Sequence, residues 1–334
     1  MKKKDSNLNN FKNIYRLKPL QKLALLKNVH SKYITSVCFL KDGRIVSSSF
    51  DKKVLVYNKI TFKIEIRIKE KKSVNYININ KDGILIVCLD GTFFNLYEIK
   101  GKTYKKIQTI NPYSLLDGFL SLFSRYYSII KFNELKNGNL AVILYKTNSI
   151  CFYKKENNKK YSYLDRFYDE DVQKISDFCE LNSKEFCYSC IYDERIKYAN
   201  TDTKKIRSIK IPNLAFSQVQ LFLMNINELF VAGDECIYII DIQKKEIIKN
   251  IKLNMFLCCM HKVSDNIILI GSWKNFIEKL KYDKKKKELK IISKVKYKNT
   301  DEIYQTNSIS TLNNKLIVCP YDNDLDKSSL VIYQ

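Results

Sequence analysis

Between His30 and Ile68 the apolar side chains come in short runs broken by turn residues. Val37 and Phe39 alternate with more polar neighbours ahead of Lys41-Asp42-Gly43, and Ile45 and Val46 open a second run. Asp51 interrupts before Val54 to Tyr57, and Thr61 to Ile68 make a fourth, more polar run. Alternation with a period of two, with turns roughly every eight to twelve residues, predicts four short strands. The pattern recurs along the chain. Its second copy carries Asn80-Lys81-Asp82-Gly83 and Leu96-Tyr97, its third Lys136-Asn137-Gly138 and Ile150 to Tyr153. Later copies end their third strand at Tyr198, Ile240, Leu280 and Tyr333. The markers Tyr57, Tyr97, Tyr153, Tyr198, Ile240, Leu280 and Tyr333 lie 40 to 56 residues apart. A repeat of roughly 40–45 residues is the length of a four-stranded propeller blade.

The first copy resembles a WD repeat. The residues that carry the likeness are His30, Phe39-Leu40-Lys41-Asp42-Gly43, Ser47-Ser48-Ser49-Phe50-Asp51 and Val54-Leu55-Val56-Tyr57-Asn58. Ser48 stands for the family's glycine, Tyr57 for its tryptophan and Asn58 for its closing aspartate. The resemblance implies an all-β, seven-bladed WD-repeat-like β-propeller of four-stranded antiparallel blades. It also implies a buried structural hydrogen-bond chain through His30, Ser49, Asp51 and Tyr57. The last copy stops after its third strand, while residues 20–26 form a spare strand ahead of the first copy. In this family an N-terminal strand completes the last blade, which shields sheet edges that would pair with other chains. The expected organisation is a basic tail over residues 1–18 and one propeller over 19–334.

The chain carries 59 Lys and Arg against 35 Asp and Glu, a formal net charge of +24. With 8 Gly, 4 Pro and abundant Lys, Asn and Ile, much of this charge reads as compositional drift, so its placement matters more than its sum. No run reaches the 18 or so apolar residues of a transmembrane helix, and no apolar segment of a signal peptide follows the basic start. Most of the ten cysteines stand singly in or beside apolar runs, as buried thiols of a reducing compartment do. A cytoplasmic or nuclear location is expected.

Nothing in the sequence points to catalysis, a cofactor or a metal. His30 and His261 are the only imidazoles, and no phosphate-binding glycine motif is present. Cys187 and Cys190 are three apart on a strand and so point to opposite faces, unsuited to one zinc ion. Two surfaces remain. The turns between third and fourth strands are rich in lysine, giving candidate polyanion contacts at Lys105, Lys106, Lys159, Lys160, Lys204, Lys205 and Lys284, Lys285, Lys286, Lys287. The turns between second and third strands are more acidic. The long gap before the third copy holds residues 111–127, where Leu116, Phe119, Leu120, Phe123 and Tyr127 fall at helical spacing. These five and Trp273 are the candidate partner-binding residues. The expected function is a monomeric, non-catalytic scaffold or adaptor in a multiprotein complex. The competing expectation is a propeller that binds RNA or anionic lipid through its basic rim.

Overall fold

The structure is a computed structural model. It describes residues 21–333 apart from 91–92, 113–128, 145–148, 173, 213–218, 234, 254, 273–275, 297–307, 313–315 and 325–326. The described strands are all short and antiparallel, in four-stranded sheets. β1 spans Lys22–His30. β2 (Ile34–Phe39), β3 (Ile45–Ser49), β4 (Lys53–Tyr57) and β5 (Ile64–Lys69) form the first sheet in chain order. β6 (Val74–Ile79), β7 (Leu85–Leu89), β8 (Phe94–Lys100) and β9 (Thr103–Ile110) form the next. It is followed by β10 (Ile129–Glu134), β11 (Leu140–Leu144), β12 (Ser149–Lys155) and β13 (Tyr161–Tyr168). β14 (Ile175–Glu180), β15 (Glu185–Cys190), β16 (Arg195–Asn200) and β17 (Ile206–Lys210) make the fourth. The fifth has β18 (Gln220–Asn225), β19 (Glu228–Ala232), β20 (Cys236–Asp241) and β21 (Glu246–Lys252). The sixth has β22 (Leu257–Ser264), β23 (Ile267–Ser272), β24 (Phe276–Asp283) and β25 (Glu288–Lys296).

Those six blades are continuous in the chain. One further described sheet is assembled from both ends, in the order β1, β28 (Lys327–Tyr333), β27 (Leu316–Asp324), β26 (Ser310–Leu312). Ala24, Leu25 and Leu26 lie opposite Ile332, Val331 and Leu330 in its outer ladder. The N-terminal strand therefore runs on past residue 26 to His30, with irregular register at both ends.

Each hydrophobic cluster lies between two sheets rather than inside one. Ile86, Phe94 and Leu96 meet Phe132, Val142 and Tyr153 across one junction. Leu25, Val331 and Tyr333 meet Cys259 and Leu269, while Ile332 and Leu330 meet Ile34 and Leu55. The composite sheet thus packs on both the sixth blade and the first, and the ring closes. Some second strands, covered on both faces, are apolar throughout, as in Leu85–Leu89 and Leu140–Leu144. Fourth strands such as Ile206–Lys210 are mostly exposed and carry charge, which protects an open sheet edge from pairing. A bulge just before Tyr57, Tyr97, Tyr153, Ile240 and Leu280 twists five of these outer edges further.

Antiparallel order places the turns between first and second strands, and between third and fourth, on one face of the ring. This is the turn face. The second-to-third turns and the links between blades share the opposite, link face. Gly43, Gly83 and Gly138 sit in first turns at φ of 90°, 84° and 86°, a conformation that L side chains rarely adopt.

Deleting residues 1–27 removes most of β1 and uncovers Leu330 to Ile332. The truncated chain is expected to melt roughly 5–15 °C lower and to associate in a concentration-dependent way. Thermal melts with light scattering check this, and an unchanged melting point in a monodisperse monomer would refute the closure.

Candidate functional site

The buried chain around His30 forms where β1 ends and the first blade begins. His30 Nδ1 lies 3.0 Å from Asp51 Oδ2, and its Nε2 lies 2.7 Å from Ser47 Oγ. Ser47 Oγ is 3.0 Å from the Tyr57 hydroxyl. The serine in the chain is Ser47, which corrects the assignment to Ser49. Both point to one side of β3, but Ser47 lies between His30 and Tyr57. Ser49, at the strand end, donates to the Lys32 carbonyl and accepts from the Asp51 amide. Burial raises the Asp51 pKa, but the bond to His30, its charge, and the amides of Ser31 and Lys53 outweigh this and hold it below the usual carboxylate range. Serine, imidazole and carboxylate stand in the order of a hydrolytic triad. Ser47 is fully buried and its hydroxyl is capped by Tyr57, so no substrate reaches it.

The same slot in other blades is filled by different chemistry. Glu70 accepts from Tyr97 Oη at 2.6 Å and from Asn95 Nδ2 at 3.0 Å. Asp169 accepts from Tyr188 Oη at 2.5 Å and Lys197 Nζ at 2.8 Å, a pair almost wholly buried. Sequence reading missed Glu70 and Asp169 because neither is a histidine. One signal was available: Glu70 precedes Tyr97 by 27 residues, as His30 precedes Tyr57.

At the axis, first strands meet edge to edge without a ladder, and side chains tie them. Thr35 Oγ1 donates to the Val74 carbonyl at 2.9 Å and Ser36 Oγ to that of Ile77 at 3.1 Å. Lys131 Nζ lies 2.7 Å from Asp177 Oδ1, whose other oxygen accepts from the Leu221 amide at 2.9 Å. Burial opposes the charge of Lys131, but Asp177 overcomes it and raises its pKa. The Gln220 amide donates to the Cys258 carbonyl and accepts from the Met260 amide. His261 Nε2 is 3.0 Å from Thr311 Oγ1, and burial pushes its pKa down to about 4, so the ring is neutral at physiological pH. Cys187 and Cys190 enter the cores on opposite faces of their blade. Among the described residues no group of three potential ligands converges on one point.

The lysine-rich turn face is less free than its sequence suggests. Lys159 reaches Glu98 at 2.6 Å, Lys204 reaches Asp165 at 2.6 Å, Lys245 reaches Glu185 at 3.1 Å, and Lys287 reaches Glu228. Every one of these pairs joins a third-to-fourth turn to the preceding blade. All four lysines hold the equivalent turn position, at φ between 54° and 63°. The first turns reach the other way, to the following blade: Lys81 Nζ donates to the Leu135 carbonyl and Lys136 Nζ to that of Leu181. Of the lysines expected to meet a polyanion, Lys159, Lys204 and Lys287 are therefore engaged within the ring. Lys106 lies over the Tyr97 ring at 5.4 Å. Lys105, Lys160, Lys205, Lys284, Lys285 and Lys286 are exposed and in no ion pair among the described residues. A groove of about 720 Å³ between the fifth and sixth blades is lined by Ile226, Glu228, Asp241, Lys244 and Lys287, with its charges balanced.

Leu116, Phe119, Leu120, Phe123, Tyr127 and Trp273 lie outside the described residues. On the link face the structure instead exposes Phe50, Tyr192 and Phe256, at 41%, 67% and 47%. Sequence reading missed all three; for Phe50 and Tyr192 a large aromatic beside the turn acids Asp51 and Asp193 was the available signal.

No family model and no curated protein sequence matches this chain. Solved structures do, and their shared fold is the WD40 repeat β-propeller. The WD40 repeats of RRP9 superpose with a TM-score of 0.73 at 10% identity, covering 94% of this chain and 100% of that one. A chain of a mitotic checkpoint complex gives 0.71 at 10% identity over 94% and 91%. The WD40 β-propeller domain of Doa1 gives 0.69 at 13% identity over 94% and 97%.

Two predictions follow from these contacts. Asp51→Asn should cost about 1–3 kcal/mol by orphaning buried donors. Because the folded Asp51 pKa is depressed, its stabilisation is present above the unfolded value of about 4 and is lost as pH falls through the lower folded value. The variant should lose less stability than the parent when denaturant melts are moved from pH 5 to pH 2. At Lys245, alanine loses the ion pair and keeps the strained φ, whereas glycine loses only the pair. Lys245→Ala should therefore be less stable than Lys245→Gly by about 1 kcal/mol, read from urea midpoints.

Proposed function

We propose that this chain is a non-catalytic scaffold that docks other proteins on the link face of its ring. The observation that carries this reading is the exposure of Phe50, Tyr192 and Phe256 on a closed, rigid frame. These three rings belong to none of the described hydrophobic clusters, and aromatic side chains dominate the energetics of protein interfaces. Tyr192 holds a φ of 65°, an uncommon conformation for a bulky residue, while two-thirds exposed. The apolar groups of residues 111–127, most of which lie outside the described residues, are proposed as a further part of the docking surface.

The reading agrees with the setting of one structural neighbour, a member of a mitotic checkpoint complex. With the composite sheet counted as a blade, the propeller has seven, and the ring acts as a monomeric platform within a larger assembly. The buried Ser47 and the capped polar chains favour a structural over a catalytic role for the molecule's polar interior. Buried, unpaired thiols at Cys38, Cys88 and Cys151 fit a cytoplasmic or nuclear location. No described helix is long and apolar enough to cross a membrane.

The test is a Tyr192→Ser, Phe256→Ser double variant purified from its native cell beside the parent chain. The expected result is a melting point within about 2 °C of the parent and selective loss of co-purifying proteins by mass spectrometry. A variant that melts normally and retains every partner would place docking elsewhere.

A further inference from the structure

The β8–β9 hairpin differs from the other turns of the turn face. It places Lys100, Lys102, Lys105 and Lys106 within seven residues, with Tyr104 among them. The nearby acid is already engaged: Glu98, opposite Lys105 in the ladder, meets Lys159 at 2.6 Å and Lys100 at 3.4 Å. Lys102, Lys105 and Lys106 are exposed and make no ion pair among the described residues. The Lys159 bond brings the next blade's turn against the Glu98 and Lys105 face of the hairpin, while Tyr104 and Lys106 lie on the face with Tyr97 and Ile99. Tyr104 is 45% exposed, yet its ring is held by an edge contact with Tyr97, the centroids 5.9 Å apart at 70°.

We propose that this hairpin binds single-stranded nucleic acid, with Tyr104 as a stacking platform and Lys102, Lys105 and Lys106 as phosphate contacts. Unpaired bases stack on a fixed aromatic ring with little regard to sequence, while interleaved cations follow the backbone. A duplex offers no free base face to a ring on a convex hairpin. A membrane surface would use the charge but gains little from a single ring beside half-buried Ile107. The Lys284–Lys286 turn of the sixth blade is the internal control. It has comparable exposed charge, flanked by Asp283 and Glu288, and no aromatic residue.

The proposal is independent of protein docking on the link face and is tested with the full chain. Binding of a labelled oligouridine, its duplex with oligoadenosine, and phosphatidylserine vesicles is measured across a salt series. The single strand is expected to bind most tightly. Tyr104→Ala should weaken it roughly tenfold without changing the salt slope, and Tyr104→Phe should restore it. Lys105→Glu with Lys106→Glu should reduce the slope of log affinity against log salt by roughly 1.4, the value for two single-strand phosphate contacts. Lys285→Glu with Lys286→Glu should leave affinity within about twofold of the parent, since those lysines lie outside the proposed site. The proposal is overturned by no oligouridine binding at low salt, by preference for duplex or vesicles, by an inert Tyr104→Ala, or by equal losses from the two charge reversals.

Discussion

A four-stranded sheet that is apolar on both faces has no core of its own, and everything else in this molecule depends on that constraint. Each hydrophobic cluster described here is shared by two neighbouring sheets. A row of such sheets would leave an apolar face bare at either end. Closing the row into a ring removes both bare faces, and the β1–β28 ladder is where covalent continuity gives way to hydrogen bonds. The closing strand ends in His30, which in turn reaches into the first blade. Closure and the polar anchoring of that blade therefore share one short segment.

Ring closure creates a polar problem at the axis, because first strands approach one another without a backbone ladder. Side chains answer it. Gln220 offers its amide to the backbone of the neighbouring strand as a peptide group would, and at the outer edge Gln108 of β9 does the same towards both the amide and the carbonyl of Tyr161 in β13. Asp177 joins three blades through Lys131 and the Leu221 amide. Buried pairs of this kind add little net stability, since desolvation offsets most of their attraction. Their geometry is demanding, and a blade seated against the wrong neighbour would leave these groups unpaired.

The surplus of lysine acquires structure at the same junctions. A lysine at the left-handed position of a third-to-fourth turn directs its ammonium back across the junction to an acid of the preceding blade. A residue type favoured by composition has been given a fixed partner, at the cost of an uncommon backbone conformation. The lysines left over are unevenly placed, and on the β8–β9 hairpin they flank an exposed ring anchored by an edge contact.

The short strands, their turns and the grouping into four-stranded antiparallel blades were legible along the chain. Alternation of apolar residues and the Asp-Gly turns are local properties, and they repeat often enough to be read without knowing the neighbours. What only the tertiary structure decided is which groups meet. Ser47 rather than Ser49 joins His30 because two serines on one strand face differ only in their depth along it. Glu70 and Asp169 each accept a tyrosine hydroxyl directly, where His30 reaches Tyr57 only through Ser47. Lys159 finds Glu98 across 61 residues and Lys204 finds Asp165 across 39. Such pairs couple different blades, so the alternation within any one blade cannot announce them. They exist only once the ring has brought one blade's turn against the flank of the blade before it.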